Sequence, residues 1–327
     1  MNVLVTGGAG FIGSHLAEAL VAAGHRVRVL DNLSTGSLEN LSGVRSALDF
    51  REGDVLDPAS AAAAVEGVDA VLHQAALPSV PRSFSAPVET TAVNCGGTLS
   101  MLEASRRAGV SRFVFASSSS VYGDAPVAVK DESLEPAPIS PYAVSKLSGE
   151  IFCRIYRKTY GMATVALRYF NIFGPRQDPA SQYSAVIPKF IAAVREGEKP
   201  SIYGDGTQSR DFTFVENVVA ANLAALNAPE EVWGSACNIA CGNEVSLLEL
   251  LDELGNLAGR PIDFRFEPPR PGDVLHSRAD IGRARRLLGY VPAVEFKEGL
   301  RRTWDFFSRG DFGRTLVQGD DDECSLA

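Results

Sequence analysis

Apolar runs of strand length alternate with segments of helical periodicity along the first half of the chain. The apolar runs lie near residues 2–6, 26–30, 48–52, 68–73, 112–117 and 163–169. The segments between them, such as 88–108 and 141–160, repeat apolar positions with the period of a helix. This alternation predicts an α/β fold, a doubly wound parallel sheet covered by helices on both faces. Ligands of such sheets bind at the carboxyl ends of the strands.

The regular alternation ends near residue 173, where turns rich in proline, glycine and aromatic residues begin. We therefore predict a large sheet domain over residues 1–173, to which residues about 212–238 return. Residues 174–310 are predicted to form a smaller, irregular domain that closes over the carboxyl edge of the sheet and binds the substrate. The last part, residues 311–327, is an acidic tail that we expect to be disordered.

Composition excludes several classes of partner. The 327 residues carry a net charge of −9 without a basic run, which argues against nucleic acid and an anionic membrane surface. An anionic substrate would need a few local arginines, since the overall field repels it. Five cysteines and four histidines show no metal-ligand spacing, so we expect no metal and buried, reduced cysteines. No targeting segment precedes the first strand, and that strand is too short to span a bilayer, which favours a cytoplasmic location.

A glycine-rich turn joins the first strand to the first helix. Residues 1–14 read MNVLVTGGAGFIGS, so Gly7, Gly10 and Gly13 stand between an apolar strand and a helix. Small residues let the backbone approach a pyrophosphate, and the helix N-terminus offers free N–H groups and a positive dipole end. This context predicts a dinucleotide-binding site.

A carboxylate ends the second strand, eighteen residues past Gly13. Asp31 can accept hydrogen bonds from the adenosine ribose hydroxyls and repel a 2′-phosphate, which favours NAD over NADP. The alternative is an ordinary turn aspartate, because Asp31-Asn32 is good turn chemistry. Asp54 and Val55, just after the third strand, are expected to meet the adenine amine.

A second constellation places Tyr142 and Lys146 four residues apart on a predicted helix, where they share a face. The alternative is a pair on a solvated helix face, but serines 117–120 end the preceding strand at the same edge of the sheet. A phenol needs a pKa shift of roughly 3 units, about 4 kcal/mol, to act as a base near neutrality. One ammonium about 4 Å away, at an effective dielectric of about 20, supplies a similar amount. We therefore predict that Lys146 makes Tyr142 a usable base while a serine hydroxyl orients a substrate alcohol.

Together these motifs resemble the extended short-chain dehydrogenase/reductase superfamily and, within it, the nucleotide-sugar 4-epimerases. The resemblance covers about residues 1–310 and rests on TGGAGFIG (6–13), HQAA (73–76), NCGGT (94–98), SSS (117–119), Tyr142-x-x-x-Lys146, RYFN (168–171) and RPGD (270–273). It implies a Rossmann domain that binds NAD and a C-terminal domain that binds a UDP-sugar.

The resemblance assigns roles to individual residues. Ser118 would be the catalytic serine, Tyr142 the base and Lys146 its activator. The cofactor site would comprise Gly7, Gly10, Phe11, Ile12, Gly13, Asp31, Asn32, Asp54, Val55, Ala75, Asn94, Tyr142 and Lys146. The substrate site would comprise Ser79, Ser118, Asn171, Arg210, Arg270, Asp273 and Ser277.

Within the substrate site, Asn171, Arg210 and Arg270 look like the diphosphate contacts, and Asp273 looks like the uridine ribose contact. For the two arginines the alternative is a surface ion pair, although arginine suits bidentate phosphate binding. In the cofactor site, Asn94 has an alternative too, since an asparagine inside a helix can simply bond to backbone.

Departures from related families argue against elimination, decarboxylation and deprotonation of a ring carbon, and they leave hydride transfer at one carbinol. Dehydratases and decarboxylases of this type place an acid after the catalytic Ser or Thr, where this chain has Ser119 and Ser120. Ser120 also replaces the cysteine of a related 3,5-epimerase type. Ser277 stands where a large tyrosine restricts 4-epimerases to plain hexoses, and residues 77–83 resemble the subgroup that prefers N-acetylated sugars. Alternatively, Ser277 merely lies in a loop.

The resemblance thus implies reversible C4 epimerisation, with UDP-N-acetylglucosamine and UDP-N-acetylgalactosamine as the expected pair and UDP-glucose and UDP-galactose as further substrates. Three alternatives stay open: a UDP-glucuronate 4-epimerase that uses Arg82 or Arg176 for the carboxylate, an NAD(P)-dependent reductase, and a non-catalytic NAD-binding module. A homodimer through the helices around 88–108 and 142–160 is expected.

Overall fold

The structure is a computed structural model that describes residues 1–179, 186–268 and 275–309. Its strands are β1 (Asn2–Thr6), β2 (Arg26–Asp31), β3 (Leu48–Glu52), β4 (Ala70–His73), β5 (Arg112–Ser118), β6 (Val129–Lys130), β7 (Ala163–Tyr169), β8 (Ile172–Phe173), β9 (Ser201–Tyr203), β10 (Ser209–Arg210), β11 (Thr213–Phe214), β12 (Ala236–Ile239), β13 (Val245–Ser246), β14 (Arg265–Glu267) and β15 (His276–Ala279). Its α-helices are α1 (Phe11–Ala22), α2 (Pro58–Val65), α3 (Val80–Ser85), α4 (Pro87–Thr91), α5 (Gly97–Arg107), α6 (Pro141–Tyr160), α7 (Val186–Glu196), α8 (Val215–Leu226), α9 (Leu247–Ala258), α10 (Gly282–Leu288) and α11 (Phe296–Ser308).

The main sheet is parallel, with the spatial order β12-β7-β5-β4-β1-β2-β3. The chain runs outward from β1 to β3 and then crosses back to β4 and β5. The predicted doubly wound α/β fold is therefore confirmed. The order reverses between β1 and β4, and the carboxyl ends of these strands open the crevice in which such sheets bind ligands.

Both faces of the main sheet are buried, which explains the continuous apolar runs in its sequence. Val3, Leu4 and Val5 of β1 are all fully buried. Val3 and Val5 pack into one apolar core and Leu4 into a second core on the opposite face. This packing holds the strand ends, and thus the site, in fixed positions.

The remaining strands of the described residues form three smaller sheets. The four-stranded sheet has the order β13-β10-β15-β6, and two-stranded pairs form between β11 and β8 and between β14 and β9. A third apolar core contains the aromatic residues Phe173, Phe190, Phe212 and Phe214. Strand β6 comes from the N-terminal half of the chain, so segments from both halves build this sheet.

Some sequence expectations fall outside the described residues, namely Arg270, Asp273 and the acidic tail 311–327. Within the part of the chain that the structure describes, none of the helices combines the length and the apolar character needed to cross a bilayer. The cytoplasmic location stays a prediction.

Candidate active site

The turn between β1 and α1 has the backbone geometry of a phosphate cradle. Gly7 has φ +66°, and a Cβ there would lie 2.7 Å from the backbone nitrogen of Ala75. The loop after β4 therefore approaches the turn so closely that only glycine fits. Gly10 caps α1 without a side-chain hydrogen bond, which leaves the N–H groups of the first turn, at Phe11, Ile12 and Gly13, available to an anion. This turn fits the pyrophosphate of NAD.

Asp31 connects the end of β2 to the glycine turn. Its carboxylate accepts hydrogen bonds from the N–H groups of Ala9 at 2.9 Å and Leu33 at 2.8 Å. The residue is 8% exposed, and burial raises the pKa of its carboxyl. The contact to Leu33 is turn chemistry, whereas the contact to Ala9 fixes the cradle. Each oxygen can accept a further bond, so ribose recognition by Asp31 stays a prediction.

The ends of β2 and β3 are joined by polar side chains. Asn32 donates its amide to Asp54 at 2.9 Å, and the second carboxylate oxygen of Asp54 accepts the N–H of Leu56 at 2.8 Å. Val55 packs its side chain into the apolar core. The predicted adenine contact at Val55 would therefore be made by its backbone.

The three predicted catalytic residues come together at the carboxyl end of β5. Ser118 is the last residue of β5, and Tyr142 and Lys146 lie in the first turns of α6. The Ser118 hydroxyl accepts a hydrogen bond from the Ser120 hydroxyl at 2.9 Å, and it lies close enough to the Tyr142 phenol to lower the pKa of that phenol. The Lys146 ammonium donates to the carbonyl oxygen of Ala116 at 2.9 Å and lies 5.8 Å from the centroid of the Tyr142 ring.

The sequence predicts that the Lys146 ammonium alone lowers the pKa of Tyr142, and the surroundings of the two side chains differ from that expectation. Burial raises the pKa of Tyr142, and the hydrogen bond with Ser118 opposes that rise. Burial also lowers the pKa of Lys146 to about 8. The Lys146 ammonium donates its hydrogen bond to the Ala116 carbonyl and not to the Tyr142 phenol, so its charge stabilises a phenolate less than a direct contact would. Ionisation of the Tyr142 phenol therefore depends on Ser118 and on further positive charge, which an oxidised nicotinamide carries.

A buried ion pair anchors the catalytic helix. Glu150, one turn beyond Lys146, binds the Arg168 guanidinium through two bonds of 2.8 and 2.7 Å. Ser117 donates its hydroxyl to the same carboxylate at 2.5 Å. The pair links α6 to β5 and β7 and thereby fixes the position of Tyr142. Sequence reasoning missed Glu150, although its place four residues after Lys146 on one helix face is a usable signal.

Asn94 positions a loop. Its side-chain oxygen accepts the N–H of Leu77 at 2.8 Å, and its amide donates to the Leu77 carbonyl at 3.2 Å and to Ser145 at 3.0 Å. These bonds hold the loop after β4, which includes Ala75, against α6. The two bonds to Leu77 match the alternative in which Asn94 bonds to backbone. A direct role of Asn94 in binding NAD stays a prediction.

The substrate side contains a cavity of about 260 Å³. Its lining includes aromatic and apolar side chains together with two predicted substrate residues, Asn171 and Arg210. Arg210 donates to the carbonyl oxygens of Ser209 at 2.8 Å and Leu275 at 3.3 Å. Ser277 lies opposite Arg210 on the neighbouring strand β15. The fold thus brings Asn171, Arg210 and Ser277 to one region.

The remaining predicted substrate residue and the two candidate uronate ligands have identified partners. Ser79 caps α3 by accepting the N–H of Arg82 at 3.0 Å. The guanidinium of Arg82 pairs with Glu89 at 3.1 Å, and that of Arg176 pairs with Glu18 at 2.5 Å. Both arginines that could bind a sugar carboxylate therefore already face a glutamate.

A second positioning residue was also missed from the sequence. The Asp211 carboxylate is fully buried and accepts N–H groups from Cys241 at 2.9 Å, Gly242 at 3.0 Å and Ala279 at 3.1 Å. These bonds tie β10 to β15 and so hold Arg210 beside Ser277. Burial raises the pKa of Asp211 to about 6.

A doubly wound sheet with a glycine-rich phosphate cradle and a Ser–Tyr–Lys group at its carboxyl edge defines an enzyme of the extended short-chain dehydrogenase/reductase class. Residues 3–240 match the sequence model of the NAD dependent epimerase/dehydratase family. The chain belongs to this family, and its cofactor is NAD.

Known relatives match nearly the whole length of the chain. A UDP-glucose 4-epimerase of Mycolicibacterium smegmatis is 39% identical over 311 residues, covering 94% of this chain and 98% of the relative. The UDP-N-acetylglucosamine 4-epimerase of Methanobrevibacter ruminantium, solved with UDP-N-acetylmuramic acid, is 39% identical with a TM-score of 0.90, covering 94% of this chain and 98% of that one. The UDP-glucose 4-epimerase of Thermus thermophilus, solved with NAD, is 39% identical with a TM-score of 0.87, covering 95% of this chain and 100% of that one.

Proposed function

We propose that this enzyme is an NAD-dependent UDP-sugar 4-epimerase, an isomerase that inverts C4 of a UDP-hexose. UDP-N-acetylglucosamine and UDP-N-acetylgalactosamine are the proposed pair, with UDP-glucose and UDP-galactose as further substrates. The carrying observation is that Ser118, Tyr142 and Lys146 meet at the carboxyl end of β5, at the crevice of a dinucleotide-binding sheet. Relatives of this sequence that are named UDP-sugar 4-epimerases support the proposal.

Three residues of the chain have separate roles in the proposed reaction. Tyr142 takes the proton of the C4 hydroxyl and returns it to the same oxygen when C4 is reduced again. Ser118 holds that oxygen near the phenol, and Lys146 keeps positive charge beside the ring. The Gly7–Gly13 cradle would hold NAD, which would supply reversible hydride-transfer chemistry at C4. Proton and hydride both come back, so the sugar changes only in configuration.

The same geometry supports a diphosphate site at Arg210. The guanidinium lies at the edge of the aromatic cavity, whose lining includes Phe190, Tyr203 and Phe212. Aromatic and apolar side chains suit a nucleoside base, and an arginine suits the adjacent phosphates. We assign Asn171 to the same site, with Arg270 and Asp273 as further contacts outside the described residues.

The choice of hexose rests on Ser277. Its small side chain is buried beside Arg210, where a tyrosine would fill the space next to the diphosphate. We infer that the small side chain of Ser277 leaves room there for an acetamido group. The glutamate partners of Arg82 and Arg176 weigh against their use as uronate ligands.

Incubation of the enzyme with a panel of UDP-sugars, with C4 configuration determined by NMR, tests the function. We expect interconversion of C4 epimers without net change of bound NAD. Stoichiometric oxidation of NAD(P)H would instead identify a reductase. Binding of NAD without turnover of any UDP-sugar would identify a non-catalytic module.

We also propose that two copies of the chain pair through α5 and α6. Val144, Ile151 and Ile155 form an exposed apolar stripe on α6, with Val144 49% and Ile155 46% exposed. Leu99 of the neighbouring helix α5 is exposed as well. Sedimentation of the native protein and of Ile155→Glu tests this pairing. A dimer that the substitution converts to a monomer supports the proposal, and a native monomer contradicts it.

A further inference from the structure

A buried lysine lies in the four-stranded sheet. The Lys130 side chain on β6 is 2% exposed, and its Nζ is buried with no hydrogen-bond partner among the described residues. A buried charge without a partner is strongly destabilising, so an ammonium in this position indicates that an acceptor reaches it when the protein works. The mechanism above does not use Lys130.

The strand register places Lys130 on the same sheet face as two proposed substrate residues. Lys130 lies opposite Ala279 of β15, and Arg210 of β10 lies opposite Ser277 of the same strand. Side chains at paired positions, and at every second position of a strand, lie on one face. Two cations therefore flank β15, and the β15 side chains between them, Ser277 and Ala279, are small.

The strand order indicates how a substrate would lie across this face of the sheet. In the order β13-β10-β15-β6, the aromatic cavity lies on the β10 side and reaches Arg210. Lys130 lies across β15, on the strand that follows the turn Ser119–Tyr122 beyond the catalytic Ser118. A UDP-sugar with its base in the cavity and its diphosphate at Arg210 would extend its hexose past Ser277 towards Lys130.

The charges around Lys130 favour an electron-rich acceptor. Burial lowers the pKa of its ammonium, and the charge of Arg210 lowers it further. The nearby Asp124 carboxylate acts in the opposite direction without a hydrogen bond to the ammonium. An oxygen with partial or full negative charge would relieve both the burial and the repulsion, and the flexible four-carbon stem lets Nζ turn to reach it.

We propose that Lys130 determines specificity by donating a hydrogen bond to a carbonyl or carboxylate oxygen carried by the hexose of the UDP-sugar. This inference rests on the proposed UDP-sugar function and deepens it. An acetamido carbonyl and a uronate carboxylate offer the same acceptor chemistry, whereas a plain hexose offers only hydroxyl groups.

The test compares the NAD-loaded, full-length enzyme with Lys130→Met and Lys130→Arg. Calorimetry measures the affinity of each for UDP, UDP-glucose, UDP-N-acetylglucosamine and UDP-glucuronate. For Lys130→Met we expect unchanged binding of UDP and UDP-glucose. Binding of one acceptor-bearing sugar should weaken about tenfold or more, as for a lost hydrogen bond to a charged group. The sugar that is affected identifies the acceptor, and Lys130→Arg should keep most of the preference.

Equal weakening of all four ligands would overturn the proposal, because it would mean that Lys130 acts only on the diphosphate through its charge. Unchanged binding of every ligand, or equal loss for the three sugars, would also overturn it. NAD content and thermal unfolding check that the variant folds, and Lys130→Gln replaces Lys130→Met if it does not. These binding measurements need no turnover, so an enzyme that binds UDP-sugars without epimerising them would refute only the proposed function.

Discussion

A Cβ atom on Gly13 would lie 2.1 Å from the carbonyl oxygen of Gly7. The two glycines thus touch across the turn that joins β1 to α1, and the first turn of the helix rests on the backbone of the cradle. This contact holds the N–H groups at the start of α1 beside the glycine turn, where an anion can reach them.

Gly13→Ala should therefore abolish tight NAD binding, because the turn must open to admit the methyl group. We expect the affinity for NAD to fall by at least about 100-fold, in keeping with the loss of several backbone hydrogen bonds to an anion. Calorimetry and the NAD content of the purified protein measure the loss. Gly24→Ala is the control, since Gly24 follows the same helix with φ +78° and no atom near its Cβ position. It should cost about 1 kcal/mol of stability and leave NAD binding intact.

Tyr142→Phe should remove turnover while the protein keeps NAD. The variant lacks the oxygen that takes the C4 proton, and loss of a positioned general base lowers kcat by about 10²- to 10⁴-fold. The rate of C4 inversion and the retained NAD are measured on the same sample. Tyr160→Phe, at the exposed end of the same helix, is the matched control and should behave as the native enzyme. Full activity of Tyr142→Phe would refute the catalytic assignment.

The pH dependence of kcat/KM should reflect the titration of Lys146. Burial lowers the pKa of its ammonium to about 8. The ammonium must be charged to act on Tyr142, so kcat/KM should fall as pH rises through about 8. The stability effect has the opposite sign. Because the unfolded chain keeps this proton up to its ordinary pKa of 10.5, the free energy of unfolding should increase as pH rises from 8 to 10.5. Unfolding measured at the same pH values separates the two effects, and a profile flat to pH 10 would contradict the assignment.

Glu150→Ala should destabilise the enzyme by about 3–5 kcal/mol, since it leaves the buried Arg168 guanidinium without its partner. Urea unfolding followed by tryptophan fluorescence gives the free energy. The control is Glu298→Ala, which breaks exposed pairs with Arg301 and Arg302 and should leave the free energy of unfolding almost unchanged. Similar costs for both variants would show that the buried pair does not anchor α6.

Ser277→Tyr should suppress activity on acetylated UDP-sugars and spare UDP-glucose. The larger side chain would fill the space beside Arg210 that we assign to the acetamido group. The ratio of kcat/KM for the two substrates is the measurement, with Ser277→Ala as the small control. An unchanged ratio in Ser277→Tyr would remove Ser277 from the account of specificity.

Much of the fold was predictable from local patterns. The strand runs, the glycine turn at Gly7–Gly13 and the Tyr142–Lys146 spacing are short-range features, and each depends on residues close in sequence. The doubly wound sheet followed from their alternation, because parallel strands and crossover helices permit few other arrangements.

Other features required the tertiary structure because they join residues far apart in sequence. Sequence alone indicated a Tyr–Lys pair, but only the structure showed that Lys146 bonds to Ala116 while Ser118 contacts the phenol. Likewise, nothing in the sequence distinguishes Lys130 from a surface lysine. Only the pairing of β6 with β15, next to the strand of Arg210, shows where it lies. Burial and partner charges arise from long-range packing, so the sequence determined which chemical groups are present and the fold decided which of them meet.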